Sequence, residues 1–133
     1  DFSIVVTHLD PPKPPLFGYN FHHYHQINIL VDTLKSFTTP FILVGDLNTT
    51  HWSSSFKKII TETNIRRIGQ GILATWPAKY IAVGIPLDHI LATKDFKFSA
   101  LTVGPNVLSD HLPLIAKFGL WSVNSIKTPL KDG

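Results

Sequence analysis

Apolar and polar positions alternate along this chain in several distinct rhythms. Residues 2–9, Phe-Ser-Ile-Val-Val-Thr-His-Leu, form an apolar run that predicts a strand buried on both faces and ending at His8. Asp10-Pro-Pro-Lys-Pro-Pro follows, with four prolines in five residues. It forces an extended, polyproline-like loop, either a stiff surface connector or a lining for a substrate. From about Asn20 to Phe37 the rhythm turns helical. Ile27, Leu30, Val31 and Leu34 fall at i, i+3, i+4 and i+7, with Asn20 as N-cap. Thr38-Thr39-Pro40 breaks that helix. Phe41-Ile-Leu-Val then predicts a buried central strand, which Gly45 lets turn or admit a close neighbour.

Ser53-Ser54-Ser55 offers N-caps for a second helix with Phe56, Ile59 and Ile60 on one face. Gly69-Gln70-Gly71 ends that section, and a short strand is expected from Leu73 to Trp76, closed by Pro77. Leu87–Ala92 predicts a further apolar strand. Phe96 and Phe98 alternate with Lys97 and Ser99 as in a half-exposed strand, with a phase change and bulge near Ala100-Leu101. Gly104-Pro105-Asn106 is a turn. A last strand carries Leu114, Ala116 and Phe118 on one face, and residues 121–133 read as a tail.

At 133 residues the chain fits one domain with a real core. Its 44% hydrophobic and 16% charged content is globular rather than disordered. It has no cysteine, which excludes disulfides and thiolate metal sites but suits any compartment, so localisation stays open. No apolar run approaches a membrane span, and no signal-like start is present. The net charge of +3 mildly favours an anionic partner, although lysine and arginine are scattered. The chain begins at Asp1, has no methionine and enters a strand almost at once, which reads as a piece of something longer.

Five polar groups stand where strands begin or end: His8, Asp46 with Asn48, Asp88, Asp110 and His111. Asp46 and Asn48, two apart in extended chain, point the same way. Taken singly, each can serve a turn or a structural hydrogen bond. Together they gather charge beside a sheet, which is costly unless the charges pair or bind metal. The chemistry these types permit is hydrolysis of a phosphate ester. A carboxylate orients water, hard oxygens bind a divalent metal, and an amide and an imidazole receive the developing negative charge. His22, His23 and His25 cluster at the start of the first helix and read as solvated histidines rather than a metal site.

Gly45-Asp46-Leu47-Asn48, Leu87-Asp88-His89-Ile90 and Ser109-Asp110-His111-Leu112-Pro113-Leu114 occur in this order, with Thr7-His8 upstream. Together they resemble the endonuclease/exonuclease/phosphatase family, the deoxyribonuclease-I-like fold. Thr7-His8 with the proline-rich loop, and Thr75-Trp76-Pro77, resemble an uncharacterised bacterial branch, some of whose members carry transmembrane helices ahead of the domain. The resemblance implies an α/β (α+β) chain, half of a two-sheet αββα sandwich, with a mixed, mostly antiparallel sheet and two helices on one face. It makes residues 1–120 the C-terminal half of the domain.

The resemblance also implies roles. Asp46 would orient or deprotonate the attacking water, and Asn48 would contact the scissile phosphate. His111 would bind the phosphate and stabilise the transition state, with Asp88 holding its ring. His8 would be a second phosphate-binding or acid histidine. Asp110 would help hold Mg²⁺ or Mn²⁺. His51 and His89 match nothing catalytic and read as structural, and Trp76 as a core or surface aromatic, with substrate stacking the alternative. The family's first half supplies an asparagine and a metal-ligating glutamate, and neither motif is in this chain. The cofactor is therefore expected to bind weakly or be absent here, since a single-carboxylate site holds Mg²⁺ poorly. The implied function is Mg²⁺-dependent phosphoesterase activity in a parent protein, with DNA, RNA, lipid or small phosphodiesters open as substrates. The basic excess tilts slightly to nucleic acid. The alternative is a catalytically inactive half-domain that binds or builds. Its exposed sheet face would then meet the missing N-terminal half or a second copy of the chain.

Overall fold

The computed structural model describes residues 1–13 and 21–120. Asn20, expected to cap the first helix, and the expected tail lie outside them. The chain folds as β1 (Ser3–His8), α1 (Phe21–Lys35), β2 (Phe41–Asp46), α2 (Ser54–Thr63), β3 (Arg66–Arg67), β4 (Asp88–Ala92), β5 (Phe96–Val103) and β6 (Leu114–Leu120). A four-stranded sheet has the order β1-β2-β4-β3, and β5 and β6 form a separate antiparallel pair. Among the described residues, only β1 and β2 pair in parallel. The architecture is thus mixed α/β with mostly antiparallel pairing.

The core explains why Phe41–Val44 is apolar without alternation. Phe41 and Leu43 pack with Leu30, Val31 and Leu34 of α1 and with Phe56 and Ile59 of α2. Ile42 belongs to a second cluster with Ile68, Ala92 and Phe96, against which Val44, Ile90, Phe98 and Leu101 pack. A central strand buried on both faces must be apolar on both. Each helix presents an apolar stripe at helical spacing to this sheet. Ser53 caps α2, its hydroxyl accepting from the Phe56 amide at 3.1 Å. The phase change in β5 is a register shift between Phe98 and Ala100, as its sequence indicates.

Three sequence expectations are corrected. β1 is not buried on both faces: Ile4 is 54% and Val6 75% exposed. It is the edge strand, and the β5–β6 pair packs over β2 and β4, leaving those two side chains uncovered. The strand expected at Leu73–Trp76 is a single bridge from Trp76 to Ile85, because Pro77 ends pairing there. The histidine cluster divides. His22 and His25 are exposed, but His23 is buried and its Nδ1 donates to the Asp10 carbonyl at 2.8 Å. That bond ties the loop after β1 to α1.

Buried His89 performs a similar task beside the site. Its Nε2 donates to the Thr49 carbonyl at 2.7 Å, fastening the turn after β2 to β4. Burial lowers its pKa to about 4 against the smaller opposing effect of that hydrogen bond, and Arg67 and His51 lower it further. A histidine with a depressed folded value favours the neutral ring, so its contribution is present above the unfolded value near 6.5 and lost below it. Stability is expected to fall by on the order of 3 kcal/mol as pH drops from about 6.5 to about 4. Urea midpoints across that range would show the fall, and His89→Gln should flatten it. An equal pH dependence in the variant would remove the assignment.

Candidate active site

Strand register brings the first three groups together. β1 and β2 run parallel and end level, so His8 pairs with Asp46. β4 runs back from the same end and pairs Asp88 with Asp46. All three side chains stand on the face of the sheet opposite the helices. His111 arrives from the segment between β5 and β6. Its Nδ1 donates to Asp88 Oδ2 at 2.8 Å, and its Nε2 lies 3.7 Å from Asp46 Oδ2. His8 Nε2 reaches the same Asp46 oxygen at 3.5 Å. The expected pairing of Asp88 behind His111 is therefore what the geometry contains.

Asp46 is held from the other side by Asn48. The Asn48 amide donates to Asp46 Oδ1 at 2.8 Å, and its Nδ2 donates to Asp46 Oδ2 at 3.3 Å and to the Leu9 carbonyl at 2.7 Å. Asn48 has φ 45°, a left-handed conformation that asparagine tolerates better than most residues. This turn aims its side chain back across Asp46 instead of along the chain. Both side-chain amide protons are thereby engaged, so contact with a phosphate requires release of the longer bond to Asp46.

Burial raises the Asp46 pKa, and repulsion from Asp88 adds to it. The Asn48 amide and the charges of His111 and His8 work the other way without overcoming it. For His111, burial pulls its pKa down, but the Asp88 hydrogen bond and the charges of Asp88, Asp46 and Asp110 outweigh that, and the net shift is upward. Both groups are thus raised in proton affinity, Asp46 by its burial and His111 by the carboxylates around it.

These groups line a cleft of about 710 Å³ together with Pro11, Pro12, Trp76, Ile85, Leu87, Ser109 and Asp110. Pro11 and Pro12, the described prolines of the loop after β1, thus line the cleft. Trp76 is not a core residue; it is partly exposed in the cleft wall, where the turn to Pro77 leaves it. Asp110 faces the same cleft. His51 lies outside it, with a buried Nδ1 that has no hydrogen-bond partner.

Two positioning residues have no obvious chemical signature. Thr75 is fully buried, and its hydroxyl accepts from the amides of Leu87 and Asp88, each at 3.3 Å. Its carbonyl accepts from the Leu112 amide at 2.8 Å. It thus joins the start of β4 to the loop carrying His111. Ser109 accepts from the His111 amide through its hydroxyl at 3.1 Å. The only pointer to Thr75 in the sequence is its place in Thr75-Trp76-Pro77.

One ligand atom each from Asp46, Asp88 and His111 lie within 4.8 Å of one another. Two carboxylates and an imidazole facing a cleft suit a hard divalent ion that keeps water or phosphate on its other positions. No glutamate joins them. The chain's sole glutamate, Glu62, is held on α2 by Lys35 at 2.7 Å and Lys58 at 2.8 Å.

A family model described as the endonuclease/exonuclease/phosphatase family matches residues 2–111. A UPF0294 protein of Vibrio cholerae is 30% identical over 121 residues, covering 89% of this chain and 41% of that protein. A functionally unknown conserved protein from Enterococcus faecalis has a TM-score of 0.69 at 16% identity, over 88% of this chain and 49% of its own. An endonuclease/exonuclease/phosphatase from Beutenbergia cavernae has a TM-score of 0.68 at 23% identity, over 89% and 36%. The chain thus spans less than half the length of each of these three proteins.

Proposed function

The chain belongs to the endonuclease/exonuclease/phosphatase family, and on that premise we propose that it supplies the catalytic half of a metal-dependent phosphoesterase site. The observation that carries this reading is the convergence of Asp46, Asp88 and His111 in one cleft, with Asp88 bonded to His111 at 2.8 Å. A phosphate ester entering the cleft would lie against the Nε2 side of His111. Asp46, raised in proton affinity by burial, would orient water and accept its proton as that water attacks phosphorus. His111, protonated and held by Asp88, would receive the growing charge on the phosphoryl oxygens, and Asn48 would add an amide donor. His8 at the rim would assist or protonate the leaving oxygen.

Mg²⁺ or Mn²⁺ would be held with the help of Asp110, which lines the same cleft. When bound, it would neutralise charge on the phosphate. The test is hydrolysis of a chromogenic phosphodiester with Mg²⁺ or Mn²⁺ and with chelator. Metal-dependent turnover supports the reading. Its absence overturns the reading for this chain and leaves the inactive half-domain that the missing glutamate favours.

The Asp88 contact makes a separate prediction. Asp88 raises the His111 pKa, so Asp88→Asn should lower it. If the protonated ring serves the reaction, activity declines as pH rises through that value. The alkaline limb of the pH–rate profile should therefore move to lower pH in Asp88→Asn. An unmoved limb would show that His111 does not act as the imidazolium.

A further inference from the structure

No described residue of α1 lines the cleft, yet α1 grips the segment on which Asn48 leans. The grip falls on Asp10. Its amide donates to Gln26 Oε1 at 2.8 Å, its carbonyl accepts from His23 Nδ1 at 2.8 Å, and its Oδ2 accepts from Gln26 Nε2 at 3.1 Å. His23 and Gln26 are three apart on the helix and so lie side by side. His23 stands on the buried stripe of α1 with Ile27, Leu30, Val31 and Leu34. A polar ring there is a cost unless it finds a partner. The Asp10 carbonyl is that partner.

The place of the grip follows from the sequence. β1 ends at His8, and the Leu9 amide still donates to the Asp46 carbonyl at 3.0 Å. Pro11 and Pro12 then have no N–H to give. The Asp10 amide is therefore the last backbone donor before the prolines, and Gln26 takes it. The Leu9 carbonyl and the Asp10 amide are the two ends of one rigid, planar peptide group. Whatever fixes the N–H also fixes the direction of the C=O. That carbonyl accepts from Asn48 Nδ2 at 2.7 Å. Buried Leu9, in the same core cluster as Ile27 and Leu30, pins the near end of the plane. A continuous chain of hydrogen bonds thus runs from Gln26 through one peptide group to the side chain of Asn48, and such bonds polarise one another.

We propose that Gln26 is a positioning residue for Asn48, acting through the Leu9–Asp10 peptide, with His23 securing the peptide that follows. Of the two bonds of Asn48 Nδ2, the one to Asp46 at 3.3 Å is the bond a phosphate would displace. The bond to Leu9 then keeps the amide aimed. The effect on catalysis rests on the phosphoesterase reading; the positioning of the side chain does not.

The first test is NMR of the ¹⁵N-labelled chain. In wild type the two Asn48 side-chain amide protons should be shifted from the values of a free asparagine and exchange slowly. Gln26→Leu and His23→Leu should move them toward the free values, with exchange faster by about fivefold or more, the equilibrium worth of one hydrogen bond. His23→Asn keeps a donor where Nδ1 stands and should stay close to wild type. Thr33→Ala on the same helix, whose hydroxyl donates to the Ile29 carbonyl at 2.8 Å, should leave Asn48 unmoved. Unmoved Asn48 resonances in Gln26→Leu, or an equal movement in Thr33→Ala, would overturn the proposal. Gln26 is half-buried, so its variant decides the matter even if His23→Leu fails to fold.

The second test is turnover of a chromogenic phosphodiester. Gln26→Leu should lower kcat by about tenfold, because a donor to the growing charge is misplaced, and should change KM by less than about twofold. Added to Asn48→Ala it should cost nothing further, since it acts through a side chain already gone. A full additional loss in that background would overturn the proposal. Absence of turnover in wild type removes the phosphoesterase reading, and the resonances alone then decide the positioning.

Discussion

Replacing Gly45 by alanine is expected to destabilise the chain by on the order of 4 kcal/mol, enough to unfold much of a marginally stable domain. Gly45 has φ 145°, and a Cβ built there would stand 1.8 Å from the Thr7 carbonyl oxygen. That oxygen is backbone of the adjoining parallel strand, paired at Thr7 with Gly45, so no side chain can swing aside. Either β1 must leave β2 or Gly45 must abandon its conformation, and both separate His8 from Asp46. Strain in such a region contributes about 1–3 kcal/mol by itself, and lost strand pairing adds to it. A urea or thermal midpoint close to wild type for Gly45→Ala would contradict the close strand approach.

Asp46→Asn should divide activity from stability. The substitution keeps the shape and an acceptor for the Asn48 amide, but removes the charge and the proton acceptor. Turnover of a phosphodiester should fall by about 10³-fold, the range for loss of a general base. Stability near neutral pH should stay level or rise. Burial and the Asp88 charge raise the Asp46 pKa, so folding favours its protonated form. Such a group stabilises below its unfolded value and loses that contribution as pH rises through its folded value. At neutral pH the ionised carboxylate is therefore a cost that asparagine does not carry. A variant that loses activity and stability together would point to a structural role for Asp46 instead.

Much of this arrangement is legible in the residues themselves. Phe41–Val44 announces a two-sided core strand because unbroken apolarity has few other uses, and Ile27 to Leu34 announces a helix by spacing. The site follows from short motifs whose acidic and imidazole groups sit at strand ends. β1 is misread because apolar residues on both faces look alike whether the second face is covered or bare. The two-residue strand Arg66–Arg67 has no apolar signal of its own; its place is set by pairing with Ala92 and Leu91. His23 resembles its exposed neighbours in sequence, and only the path of the preceding loop puts the Asp10 carbonyl within reach.

The parallel sense of β1 and β2 also sets what it costs the chain to bring two site residues together. A parallel pair cannot close through a tight turn; it needs a crossover, here the proline-rich loop and the whole of α1. The antiparallel β5 and β6 are joined by a shorter connection, and Phe96, Phe98 and Phe118 meet across them. Distant contacts must offset a larger loss of chain freedom before they help the fold. Bringing His8 beside Asp46 therefore carries a larger loss of chain freedom than closing β5 on β6.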